Sequence, residues 1–177
     1  MNSLSFTDVT NKKIVFIDLQ KRSKKIDSTK IDNLKNFLCK NNAIFEIIHH
    51  EKPIYSSQDG VDYFGIGPGQ TAPIIIIKTE KEFYALILSG ERGKMDLEII
   101  AHILGCREIR LSSKKELIDK GFLPGSIPLL EHGLPCIIDK RLFLYKFVYG
   151  GTGFPDYTLK INPRDLERLN NVIATIE

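Results

Sequence analysis

Tryptophan is missing from this chain, methionine occurs twice and cysteine three times. Cys39, Cys106 and Cys136 are far apart and show no C-x-x-C spacing. That pattern speaks against a structural zinc site or a disulfide framework, so free thiols and no metal or cofactor are expected. No apolar stretch approaches the ~20 residues that a membrane helix needs. Neither sign of charge dominates. With 25 Lys and Arg against 22 Asp and Glu, the formal net charge is +3, which permits contact with a nucleic-acid end without the strongly basic surface of a DNA binder. The opening MNSLSFTDVTNKK lacks the basic-then-apolar order of a signal peptide, so a cytoplasmic protein without membrane contact is expected.

What remains is an ordinary globular composition, 42% hydrophobic and 27% charged over 177 residues, enough for one well-packed domain. Residues 1–27 read as an extension holding one strand-like run, Lys13 to Asp18, and the basic cluster Lys21 to Lys25. The main domain then spans 28–177. Ser28 caps a helix whose Ile31, Leu34, Phe37 and Leu38 share a face. A strand from Ala43 to Ile48 leads to His49 and His50, and Ser56 or Ser57 opens a short helix stopped by the glycines after Phe64.

Residues 73–78 and 83–88 are apolar on both faces and should pair as a central hairpin. Asp96 caps a helix closed by Gly105, and Ser113 with Glu116 forms a capping box for a helix that ends at Gly121. Strands are expected at Arg107 to Leu111, Cys136 to Asp139, Leu142 to Val148 and Tyr157 to Ile161. Asn162-Pro163 starts what reads as the final helix. The result is an α/β chain of the α+β type: a mixed, curled sheet with helices packed around it.

The densest glycine and proline lie in Gly121 to Pro135 and in Tyr149-Gly150-Gly151-Thr152-Gly153. Glycine supplies positive φ and close approach, and proline fixes φ and removes a donor, so these stretches read as stiff loops shaping a pocket. Gly151-Thr152-Gly153 is followed by neither a helix nor a Lys-Ser/Thr pair, which excludes a nucleotide P-loop. His49 and His50 are adjacent on a strand and face opposite sides, so they cannot chelate one metal; His50 is the one placed to edge a pocket. Ser126 sits in no G-x-S-x-G motif, and no His/Asp order supports a triad.

Several fragments share one order: Gly69-Gln70, Gly121-Phe122-Leu123-Pro124-Gly125-Ser126-Ile127-Pro128, Ile137-Ile138-Asp139, Gly151-Thr152-Gly153 and Ile161-Asn162-Pro163-Arg164-Asp165-Leu166. From about Ile31 to Ile176 this order resembles the YbaK family of aminoacyl-tRNA deacylases, the free-standing relatives of the editing domain inserted in bacterial prolyl-tRNA synthetases. The resemblance implies a curled mixed sheet and hydrolysis in trans of the ester of a mischarged aminoacyl-tRNA. It implies as partners the aminoacyl-tRNA 3′ end and an aminoacyl-tRNA synthetase, with no cofactor. It places Gly125, Ser126 and Asp139 in the catalytic role. Ile127, Pro128, Leu129, Gly151, Thr152, Gly153, His50 and Lys94 would line the substrate, with Phe154 and Tyr63 as further walls. Two positions depart from the family pattern: Pro73 stands where a lysine is common, and Leu129 where a proline would be. Lys78 should face away from position 73 along the strand. These departures keep a second reading open, a module of the same fold that binds aminoacyl-tRNA, a synthetase or an aminoacyl-type small molecule without hydrolysing it.

Overall fold

The computed structural model describes residues 28–177, so the expectations for Lys13 to Asp18 and for Lys21 to Lys25 lie outside the described residues. Two compact units divide after Asn41. In the first, helix α1 covers residues 28–40, and its buried positions Ile31, Leu34 and Leu38 recur at helical spacing.

The second unit, residues 42–177, is a mixed α/β body holding two sheets. Its elements run β1 (Phe45–His49), α2 (Ser57–Phe64), β2 (Ile74–Thr79), β3 (Phe83–Ile87), α3 (Leu97–Leu104), β4 (Ile109–Leu111), α4 (Lys114–Asp119), β5 (Cys136–Asp139), β6 (Val148–Gly151), β7 (Tyr157–Ile161), α5 (Pro163–Leu169) and β8 (Val172–Ile176). Short 3-10 turns cover Pro68–Gln70 and Lys140–Leu144. The larger sheet has strand order β4-β2-β3-β5-β8, and the smaller is β1-β7-β6. The expected hairpin is there: Ile74 pairs with Ile87 and Lys78 with Phe83, antiparallel.

Alternation along these strands gives the large sheet two buried faces. Ile77, Leu86 and Ile137 join Ile100 of α3 and Ile176 of β8 in one cluster, while Ile76, Ala85, Ile87 and Ile138 are buried on the other side. Four caps read from sequence hold, with Ser56, Asp96, Ser113 and Asn162 each accepting a hydrogen bond from the first turn of its helix.

Two expectations are corrected. The strand expected from Leu142 to Val148 starts only at Val148, because the Asp139 carboxylate takes the N–H of Arg141 and starts a 3-10 turn over Lys140–Leu144. The chain also does not end on a helix. α5 stops at Leu169, and Val172–Ile176 returns as an edge strand parallel to β5.

The two sheets meet at a seam. Thr71 bridges to Tyr149 in parallel, and the Ala72 N–H donates to the Tyr149 carbonyl at 2.7 Å. The segment that opens β2 is thereby stitched to β6, and the seam positions the candidate site.

Candidate active site

A cavity of about 180 Å³ opens over this seam. Its floor is Thr71, Ala72, Pro73 and Ile74 with Tyr149, Gly150 and Gly151. Its walls are α2 (Ser57, Gly60, Phe64), the segment Gly125-Ser126-Ile127, and Phe154, Tyr157 and Thr158.

The wall formed by Gly125-Ser126-Ile127 is shaped by a turn. Leu123-Pro124-Gly125-Ser126 has proline at its second position and Gly125 at φ +84° at its third, and the Ser126 N–H closes on the Leu123 carbonyl at 2.9 Å. This is a type II turn, whose third residue must take positive φ. It uses the Ser126 N–H for the fold. The N–H groups of Gly125 and Ile127 make no such bond among the described residues. The wall is locked to the floor because the Leu129 N–H donates to the Gly151 carbonyl at 2.9 Å. Neither seam glycine has room for a side chain. A Cβ at Gly151 would stand 2.5 Å from the Ile127 carbonyl oxygen, and one at Gly150 2.5 Å from Leu129 Cδ1.

Of the residues singled out in the sequence, Gly125, Ser126, Ile127, Gly151 and Phe154, together with Pro73 and the flanking Tyr149 and Gly150, are brought together around this cavity. The others lie outside its lining. Leu129 is fully buried behind Gly150, and Pro128 packs beside Gly153. Thr152 is buried and shapes the following turn, its hydroxyl 3.0 Å from the Tyr157 carbonyl. Tyr63 is 50% exposed and packs edge-to-face against Phe64. Lys94 lines a different cavity, of about 650 Å³, with Ile75 and Leu86. Ile74 and Ile75 alternate along β2, so the two cavities open on opposite faces of that strand. Lys78 pairs with Glu116 at 2.9 Å.

His50 stands one layer behind the wall, 2% exposed. Its Nδ1 is 2.7 Å from the Lys52 carbonyl oxygen and its Nε2 3.1 Å from Thr158 Oγ1. A carbonyl only accepts, so in the neutral ring the proton is on Nδ1 and the Thr158 hydroxyl donates to Nε2. That fixes the orientation of Thr158 in the cavity wall.

Asp139 is fully buried at the end of β5. Arg92 grips it through Nε to Oδ2 and through Nη2 to Oδ1 at 2.8 Å, and the N–H groups of Ser89 and Arg141 add bonds of 3.1 Å. Burial opposes ionisation, but the Arg92 bonds and the two N–H donors outweigh it and hold the carboxyl below its usual value. The anchored segment reaches the cavity floor at second hand: Gly90 N–H donates to the Thr71 carbonyl and the Ser89 hydroxyl to that of Gly69.

The sequence reading missed Thr71, Ala72, Gly60 and Thr158 as lining residues, while Tyr149 and Gly150 fall within the glycine-rich stretch it read as shaping a pocket. Only strand pairing shows that positions 71 and 149 are neighbours. Among the described residues no three His, Cys, Asp or Glu side chains are grouped to hold a metal, and no helix is long and apolar enough to cross a membrane.

A sheet seam floored by backbone and walled by a proline-glycine turn defines the pocket, and comparison with known proteins gives the family. The aminoacyl-tRNA editing domain model matches residues 51–169, and the chain belongs to that family. The crystal structure of a hypothetical protein superposes with a TM-score of 0.73 at 18% identity, over 80% of this chain and 96% of that one. A protein described as a candidate trans-editing enzyme for prolyl-tRNA synthetase gives 0.66 at 22% identity, over 73% and 83% of the two chains. A scaffold used for computational epitope grafting gives 0.66 at 21%, over 73% and 84%. At these identities the structures share the fold. No curated protein sequence matches the chain.

Proposed function

We propose that the chain is a trans-acting aminoacyl-tRNA deacylase, hydrolysing the ester that joins a wrong amino acid to a tRNA 3′ end. The observation that carries this reading is that the family match over residues 51–169 includes every residue lining the seam cavity. The chemistry suits such a lining. An aminoacyl ester is already activated, so a held water and donors aimed at the developing oxyanion supply most of the acceleration without a side-chain nucleophile. The Gly125 and Ile127 N–H groups, not needed by the fold, are the donors in this scheme. The Ser126 hydroxyl and Thr158 orient water, and Ile127, Phe64 and Phe154 enclose the acyl side chain. Asp139 acts from a distance, by fixing the segment through Ser89 to Arg92.

Pro73 favours a second reading. It lines the floor where the family commonly has a lysine, and it offers neither a charge nor an N–H. A module that binds the aminoacyl end without turning it over would tolerate that change.

Deacylation of a panel of radiolabelled aminoacyl-tRNAs separates the two. Pro, Ala, Cys and Ser on matched and mismatched tRNAs, with EDTA present, should yield at least one substrate hydrolysed above the buffer rate. Uniform inactivity of folded protein would replace the deacylase with the binding module.

A further inference from the structure

The cavity floor continues, beyond the acyl site, into the outer face of the small sheet. Pairing places Thr158 opposite Gly151, Lys160 opposite Tyr149, and Glu46 opposite Lys160. Because side chains alternate, Gly151, Tyr149 and Phe147 look out on one side while Val148, Leu159 and Ile161 are buried on the other. Tyr149 belongs to both regions, since it lines the cavity and also begins this face.

The face is built from aromatic rings and cations. Lys160 Nζ lies 5.2 Å from the Phe147 ring centre and 5.9 Å from that of Tyr149, and Lys146 Nζ lies 5.7 Å from Phe147. Phe64 adds a ring 5.1 Å from Tyr149 on the cavity side. Phe147, Tyr149 and Lys160 are all half-buried, so each keeps part of its surface open to solvent. Lys160 is held at rest by Glu46 at 3.0 Å. An exposed pair of this kind is weak in water, and a phosphate can displace the carboxylate.

We propose that this face, from Tyr149 to Phe147 beneath Lys160, is the track for the unpaired 3′-terminal nucleotides of an RNA. The proposal rests on the deacylase reading for the position of the acyl end. Single-stranded RNA is held by aromatic side chains on which bases stack and by cations that follow the phosphates. Here both occur on one sheet face continuous with the cavity. Protein–protein interfaces are enriched in aromatic residues but depleted in lysine, and here Lys146 and Lys160 stand over the rings.

The test is binding of 5′-labelled, uncharged tRNA to the full chain, measured by fluorescence anisotropy with an intact 3′ end and with the last three nucleotides removed. Intact tRNA should bind more tightly. Phe147→Leu should weaken it at least about fivefold, as expected for loss of one stacked base, with no effect on trimmed tRNA, and Phe147→Tyr should restore it. Lys160→Gln should lower the salt dependence by roughly 0.7 in the log–log slope. Equal affinity for intact and trimmed tRNA, or equal loss on both in Phe147→Leu, overturns the track. Hydrolysis of aminoacyl-adenosine, which has no preceding nucleotides, reports on the cavity separately. If wild-type chain cleaves it while tRNA binding ignores the 3′ end, the deacylase stands and the track falls. Binding that depends on the 3′ end, with the whole aminoacyl-tRNA panel left uncleaved, keeps the track and removes the deacylase.

Discussion

At Asp139, burial works against ionisation while four N–H donors from Ser89, Arg92 and Arg141 work for it. The Arg92 side chain, only 11% exposed, depends on that carboxylate in return. Asp139→Asn should therefore cost about 3 kcal/mol, because removing one partner leaves the other charge buried and uncompensated. A urea midpoint unchanged from wild type would show that the pair does not anchor the fold. His132 presents the opposite case. It is buried, and its Nδ1 accepts the Leu134 N–H, so the neutral ring carries its proton on Nε2. That atom has no hydrogen-bond partner among the described residues. Burial pushes its pKa down, and the Asn170 side chain nearby offsets this only in part. An unfolded histidine takes up its proton near about pH 6.5, while folded His132 does so only at lower pH. Between those values the unfolded chain binds more protons, so this contribution to stability is present above about pH 6.5 and is lost as pH falls below it. His132→Asn keeps an acceptor for Leu134 and should flatten that loss. Parallel pH profiles of wild type and variant would remove His132 from the account.

Among the elements, the seam glycines and the turn glycine make different demands. At Gly151 the obstacle is a carbonyl oxygen 2.5 Å from the Cβ position, whereas at Gly125 the nearest atom is 3.8 Å away and only the φ of +84° is unfavourable. Gly125→Ala should cost about 1–2 kcal/mol of backbone strain with the seam intact. Gly151→Ala must push Ile127 away from the cavity, adding about 1–3 kcal/mol of overpacking and lowering deacylation far more than Gly125→Ala. Equal activity loss in the two variants would argue against the seam as the site. The same elements show what could be read from the chain alone. Caps, the central hairpin and the pocket-forming role of Gly125 and Gly151 were legible, because each depends on local spacing or on glycine and proline chemistry. The 3-10 turn after β5 was not, since Leu142 to Val148 has the composition of a strand and only the Asp139 cap diverts it. Strand β8 was hidden for a related reason: Val172 to Ile176 is short, and its partner β5 lies more than 30 residues away in sequence. Thr71 and Tyr149 as cavity neighbours depend on a pairing across the seam that no local pattern records.

Across the whole second unit, site and fold share residues, so most substitutions in the lining will confound stability with function. Gly60 is an exception. It lies in α2, lines the cavity, and is not at positive φ, and a Cβ there would meet only Thr71 Cγ2 at an ordinary 4.0 Å. A glycine within a helix is worth about 1 kcal/mol less than alanine, so Gly60→Ala should raise the stability of the unit by up to that amount. The added methyl enters a cavity of only about 180 Å³, between α2 and the floor. In an apolar pocket one methylene changes discrimination by roughly 10- to 200-fold. Gly60→Ala should therefore lower kcat/KM for the bulkier of two aminoacyl-tRNA substrates by about tenfold or more, and leave the smaller nearly unchanged. Because the unfolding midpoint rises while one substrate is lost, the effect cannot be assigned to misfolding. Equal loss on both substrates would place the acyl group away from α2, and no loss on either would place it outside this cavity.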